Sequence, residues 1–147
     1  MASFFVDANT IISALLFGGN EKRLLEYARL GLCELVTNEY VRHEVRRFLE
    51  REPGMGPAKR GRAMSSLSQR VLILPDPDPA DLRDARPRVP DPRDVAVVVG
   101  FEQSGCEFLI SGDRRLRLAV RGALTTRQAL RRIEAELKPG GSNPRPG

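Results

Sequence analysis

Short, continuously apolar runs punctuate this chain: Phe4-Phe5-Val6, Leu35-Val36, Val71-Leu72-Ile73-Leu74 and Phe108-Leu109-Ile110, each followed by a segment with helical character. A strand that is apolar on both sides must be covered on both sides. Strands separated by helix-length segments join in parallel, with the helices supplying that cover. The pattern therefore specifies an α/β fold around a parallel sheet. Ligands of such folds bind beyond the carboxyl ends of the strands, so the residue that follows each apolar run is the one to inspect.

The spacing predicts a strand over residues 2–6, helices over Thr10 to Phe17 and Leu24 to Leu32, and a strand at Glu34 to Thr37. Asn38 is a suitable N-cap for a helix to about Arg51, which Pro53-Gly54 ends. A helix over 57–69, a compact buried strand at Val71 to Leu74, a helix from about Pro92 to Gln103 and a strand at Glu107 to Ile110 follow. Helices at Arg114 to Val120 and Thr126 to Leu137 flank a last short strand near Ala123-Leu124. Between Pro75 and Pro92, PDPDPADLRDARPRVPDP reads as an exposed connection or mobile flap, because proline and aspartate oppose regular structure. With 147 residues there is room for one domain, here 1–137 with an irregular loop at 75–91, and the KPGGSNPRPG tail over 138–147 is expected to be disordered.

No apolar run approaches the roughly 20 residues of a membrane span, and no basic stretch precedes the first one, so neither an anchor nor a signal peptide is expected. A cytoplasmic protein is expected. Cys33 and Cys106 stand singly without Cys/His spacing, which argues for reduced, buried thiols and against zinc. The formal net charge is +5, carried mostly by arginine at 42–51 and 114–121, whereas acidic residues gather at 76–94. That balance suits a polyanionic partner.

Asp7 ends the first apolar run, so its carboxylate projects from the carboxyl edge of the sheet or caps the helix that follows. In the helix after Asn38, the residues Tyr40, Val41, Val45, Phe48 and Leu49 form an apolar stripe, and Glu44 lies four residues from both Tyr40 and Phe48. A glutamate there costs several kcal/mol unless paired or metal-bound. His43 faces away, as a surface residue. In Asp91-Pro92-Arg93-Asp94, Asp91 is the cap and Asp94 the inward carboxylate of the apolar helix VAVVVGF. Asp113 ends the run FLISGD. Gathered anions repel unless a cation joins them, and an all-oxygen set without His or Cys suits Mg²⁺ or Mn²⁺.

The segments VDANTIISALL, TNEYVRHEV, DPRDVAVVVGFEQSG and FLISGDRRL, in that order over about residues 3–118, resemble the PIN-domain family, which includes the ribonuclease toxins of toxin–antitoxin pairs. The resemblance implies a five-stranded parallel sheet in an α/β/α sandwich and a metal-dependent nuclease acting on RNA. It places the acidic site on Asp7, Glu44, Asp94 and Asp113, with Asn9 and Ser111 as small polar supports. It also implies an antitoxin partner and often a homodimer. VAVVVGF is bulkier than the alanine-rich helix common at that place.

On this reading Asp7, Asp94 and Asp113 hold one ion directly, and Glu44 binds a second or orients a water. Arg46, Arg47, Arg114 and Arg115 are the candidates for RNA phosphate contacts. Two rivals remain: a non-catalytic RNA-binding or regulatory module, and a phosphotransferase or phosphatase. The latter would want a second acid two residues after Asp7, where Asn9 stands.

Overall fold

The computed structural model describes residues 1–138. The expected tail, past Lys138, lies outside the described residues. The chain runs β1 (Ser3–Val6), α1 (Ala8–Leu16), α2 (Asn20–Arg29), β2 (Glu34–Asn38), α3 (Glu39–Arg51), α4 (Pro57–Arg70), β3 (Leu72–Leu74) and α5 (Pro79–Ala85). It continues through 3-10 turns at Arg86–Arg88 and Pro92–Asp94 into α6 (Val95–Ser104), β4 (Phe108–Ile110), α7 (Arg114–Ala119), β5 (Ala123–Leu124) and α8 (Thr126–Leu137).

The five strands are all parallel, in the order β3-β2-β1-β4-β5. Right-handed crossovers place the helices between β1 and β3 on one face and those between β3 and β5 on the other. The packing agrees: α1 lies against α2, α3 and α4, α5 lies on α6, and α8 returns to α2. The sheet is thus the middle layer of an α/β/α sandwich. Its centre is apolar, with Phe4, Phe5, Leu109 and Ile110 fully buried.

The order reverses at β1, since β2 leaves on one side and β4 arrives on the other. A crevice opens at such a switch point, beyond the carboxyl ends of β1 and β4. Thr37 Oγ1 donates to Val6 O (2.8 Å) and so ties the end of β2 to the end of β1. Buried Asn38 caps α3 by accepting from Val41 N (3.0 Å) and donates Nδ2 to Ala96 O (3.1 Å), which links α6 to the sheet.

Two expectations are corrected. The 75–91 segment is neither an irregular loop nor a flap: α5 and the turn after it pack on α6, with Ala85 and Val89 buried. Arg88 binds both carboxylate oxygens of Glu102 (2.7 and 2.6 Å), and Gln103 Nε2 donates to Asp81 (2.9 Å). Pro79 and Pro87 stand in the first turns of these helices, where the missing N–H would have had no partner in any case. The second correction concerns β3, expected to be buried. It is an edge strand, with Leu72 54% exposed.

Candidate active site

Asp7 N donates to Ile110 O (3.3 Å), which extends the β1–β4 ladder and stations Asp7 at the switch point. Its Oδ1 accepts from Thr10 N (3.0 Å) as the N-cap of α1. On the other side of the crevice, Asp113 N donates to the buried Ser111 Oγ (3.1 Å), and Arg117 Nη1 donates to Ser111 O (3.0 Å). Asp113 Oδ1 accepts from Arg115 N (2.9 Å) and Leu116 N (3.3 Å), capping α7. Both aspartates therefore cap with Oδ1, and no protein donor among the described residues reaches either Oδ2. Cap and site ligand are compatible roles for one carboxylate.

Glu44 enters from α3 and Asp94 from the turn before α6, both half-buried. Asp7, Glu44, Asp94 and Asp113 line one cavity of about 220 Å³, with Asn9, Asp91 and Arg93 beside them. Asp91 caps its turn through Arg93 N (2.9 Å) and grips the Arg93 side chain with both oxygens (3.2 and 2.9 Å).

Charge crowding leaves a signature on the two half-buried acids. Burial first, then the charges of Asp7 and Asp94, push the Glu44 carboxyl above the usual range. Asp94 is raised by burial and then by Asp91 and Asp113. Asp91 goes the other way, lowered by its hydrogen bonds from Arg93. Removed from the site, the buried Cys33 thiol is pushed up to about 11 by desolvation.

Among the described residues, no group of three or more His, Cys, Asp or Glu side chains is set to hold a metal ion directly. The carboxylates instead ring a space larger than a bare ion. Their chemistry is that of a hard cation: oxygen donors only, with free Oδ2 atoms on Asp7 and Asp113. Mg²⁺ commonly keeps several waters and contacts only one or two carboxylates. A hydrated ion of that kind fits the ring.

Of the other expected site residues, Asn9 lines the cavity and Ser111 lies beneath it as the acceptor for Asp113 N. Arg47 lies beside Glu44, in a second cavity that adjoins the first. Arg46 does not join them; it lines a separate cleft with Arg60 between α3 and α4. Arg114 and Arg115 are exposed on α7 and do not line the acidic cavity. Arg93, which does, was missed: the DPRD segment reads as a helix start, and its third residue draws no notice as a side chain. Phe48, counted in the buried stripe of α3, is 40% exposed and faces the second cavity.

Fold and cavity together define a doubly wound α/β protein with an oxygen-lined anionic pocket at its switch point. A family model for the PIN domain matches residues 3–115, and the chain belongs to that family, whose members are generally nucleases. The fold is similar to the crystal structure of PAE2754 from Pyrobaculum aerophilum, with a TM-score of 0.69 at 20% identity, covering 91% of this chain and 96% of that one. VapBC2 from Rickettsia felis, solved bound to a DNA fragment from its promoter, gives 0.65 at 9% identity over 84% of this chain and 96% of that one. FitAcB from Neisseria gonorrhoeae gives 0.56 at 17% identity over 83% and 96%. No match is found among curated proteins.

Proposed function

We propose that the protein is a metal-dependent ribonuclease that hydrolyses RNA phosphodiester bonds at the Asp7, Glu44, Asp94 and Asp113 cluster. One observation carries the reading: four carboxylates from four separated segments line a single cavity at the switch point, and helix capping accounts for only one oxygen each of Asp7 and Asp113. A divalent cation held there would offset the mutual repulsion of the four and make the cavity receptive to a phosphate.

Asp7, Asp94 and Asp113 are the residues to hold Mg²⁺ or Mn²⁺, directly or through water, and the ion would supply an acidified water and charge stabilisation at the phosphate. Glu44, whose proton affinity is raised, orients the attacking water and accepts its proton. The caps made by Asp7 and Asp113 fix those two side chains in advance of binding. Arg93, clamped by Asp91 at the cavity wall, offers its remaining N–H groups to the substrate phosphate.

The likeness to VapBC2 and FitAcB supports a place as the toxin of a toxin–antitoxin pair, with an antitoxin as protein partner; a homodimeric assembly and action in the cytoplasm are part of the same proposal. No helix among the described residues is long and apolar enough to cross a membrane.

The test is cleavage of a labelled mixed RNA pool by purified protein in Mg²⁺, in Mn²⁺ and in EDTA, with Asp94→Asn alongside. Cutting that needs metal and is lost in Asp94→Asn is the expected result. No cutting under any condition, with a co-purified inhibitor excluded, would remove the nuclease assignment. Asp7→Asn separates the rival binding module, because asparagine is also a good N-cap. It should spare RNA binding and abolish cleavage.

A further inference from the structure

The acidic cavity does not end at Glu44. A second cavity of about 420 Å³ shares Asn9 and Glu44 with it and runs on past Arg47, Phe48, Arg51 and Glu52. Glu44, Arg47, Phe48 and Arg51 stand at i, i+3, i+4 and i+7 of α3, so they form one stripe down one face of the helix. Phe48 lies about one turn and Arg51 about two turns beyond Glu44. Neither Arg47 nor Arg51 forms an ion pair among the described residues. Phe48 leaves 40% of its surface open, although Val45 and Leu49 on either side of it are fully buried.

We infer that this face of α3 is the track for the single-stranded RNA flanking the cleaved bond, with a base stacked on Phe48 and backbone phosphates on Arg47 and Arg51. The inference deepens the nuclease reading and rests on it. A strand leaving the acidic cavity along α3 meets the Arg47 guanidinium and the Phe48 ring within the first turn beyond Glu44 and the Arg51 guanidinium in the next, a sequence that matches phosphate, base and phosphate. Two unpaired cations complement a polyanion, and the single carboxylate beyond them, Glu52, leaves the stripe net positive once Glu44 is engaged with the cation. Stacking needs a base whose face is free, which paired bases in a duplex do not offer. Phe48 thereby selects unpaired RNA, and because every base has a face it does so without reading sequence.

The experiment uses full-length Asp94→Asn protein, in which cleavage is blocked, and a fluorescein-labelled RNA of mixed sequence about 12 nucleotides long, within the span of one single-strand site. Affinity is read by anisotropy in Mg²⁺ over a salt series. Adding Phe48→Ala should weaken binding at least about fivefold, whereas Phe48→Trp should retain it. Arg47→Ala and Arg51→Ala should each flatten the slope of log K against log salt by about 0.7. A duplex of the same sequence should bind more weakly and be indifferent to Phe48→Ala. Single-strand binding within about twofold of the parent in Phe48→Ala, checked for an unchanged thermal transition, would overturn the track. So would a self-associated protein that Phe48→Ala turns into a monomer with RNA affinity unchanged, since the face would then join copies of the chain. Failure of the nuclease reading shows separately, as absence of metal-dependent cutting by the protein without Asp94→Asn.

Discussion

Glu44 is the residue at which site and stability pull in opposite directions. Its carboxyl is raised in the folded chain by burial and by Asp7 and Asp94, so the folded state holds that proton more tightly than the unfolded state, where it is lost near pH 4. From about pH 4 up to the raised folded value the folded chain binds more protons, and stability contributed by this group falls as pH rises. Above that window the loss is complete and constant. In EDTA at pH 7, Glu44→Gln should therefore unfold a few degrees above the parent protein, and the gain should vanish toward pH 4; thermal scans across that range check it. The same variant should lose RNA cleavage by about a hundredfold or more. Asp7 and Asp113 were legible as residues ending apolar runs, and capping does not exclude a role as site ligand, because each caps with one oxygen only. Arg93 and Phe48 were not legible. A helical stripe read from sequence has no edge, and whether Phe48 is its last buried residue or its first exposed one depends on α1 and the cavity beside it.

At the scale of elements, the 75–91 segment shows what composition hides. Leu82, Ala85 and Val89 are spaced for one helical face, and the structure turns that face onto α6, with Ala85 and Val89 buried. Pro79 and Pro87, which seemed to forbid a helix, stand at the starts of its turns instead. Ala85→Asp places an unpaired charge in that contact and should cost about 3 kcal/mol or more in urea unfolding, whereas the neighbouring exposed Asp84→Ala should stay within about 0.5 kcal/mol. Limited trypsin digestion gives an independent check: Arg83 and Arg88 should resist cleavage in the parent and become susceptible in Ala85→Asp. Gly100, within α6, carries a second lesson. A helical Gly→Ala change ordinarily stabilises by about 1 kcal/mol. Here an added Cβ would collide with Asn38 Nδ2 and lie 2.8 Å from Phe5 Cζ, because α6 presses on β1 and β2 at that point. Gly100→Ala should reverse the usual sign and destabilise by about 1–3 kcal/mol, read as a lower urea midpoint.

For the whole molecule, four continuous apolar runs sufficed to anticipate a parallel sheet, since only a doubly covered sheet buries such runs, while the count of five strands came from the family resemblance. Strand order was not anticipated, and it decides the site: only because β1 lies between β2 and β4 do Asp7 and Asp113 share a crevice. Residues that cap helices in separate βα units thereby line one anionic pocket, whose repulsion the proposed cation would relieve. Binding to the folded chain alone then stabilises it by RT ln(1 + [L]/Kd), about 2.7 kcal/mol at a hundredfold excess over Kd, or roughly 5–10 °C in Tm for a chain of this size. Protons compete for the same oxygens. Mn²⁺ should accordingly raise Tm at pH 7.5, EDTA should reverse the rise, and the effect should shrink as pH falls toward the raised values of Glu44 and Asp94. Calorimetry at fixed Mn²⁺ across that pH range measures it. A stabilisation of equal size in the Asp7→Asn, Asp94→Asn double variant would mean that the ion binds elsewhere on the protein, and the acidic pocket would lose its claim to be the metal site.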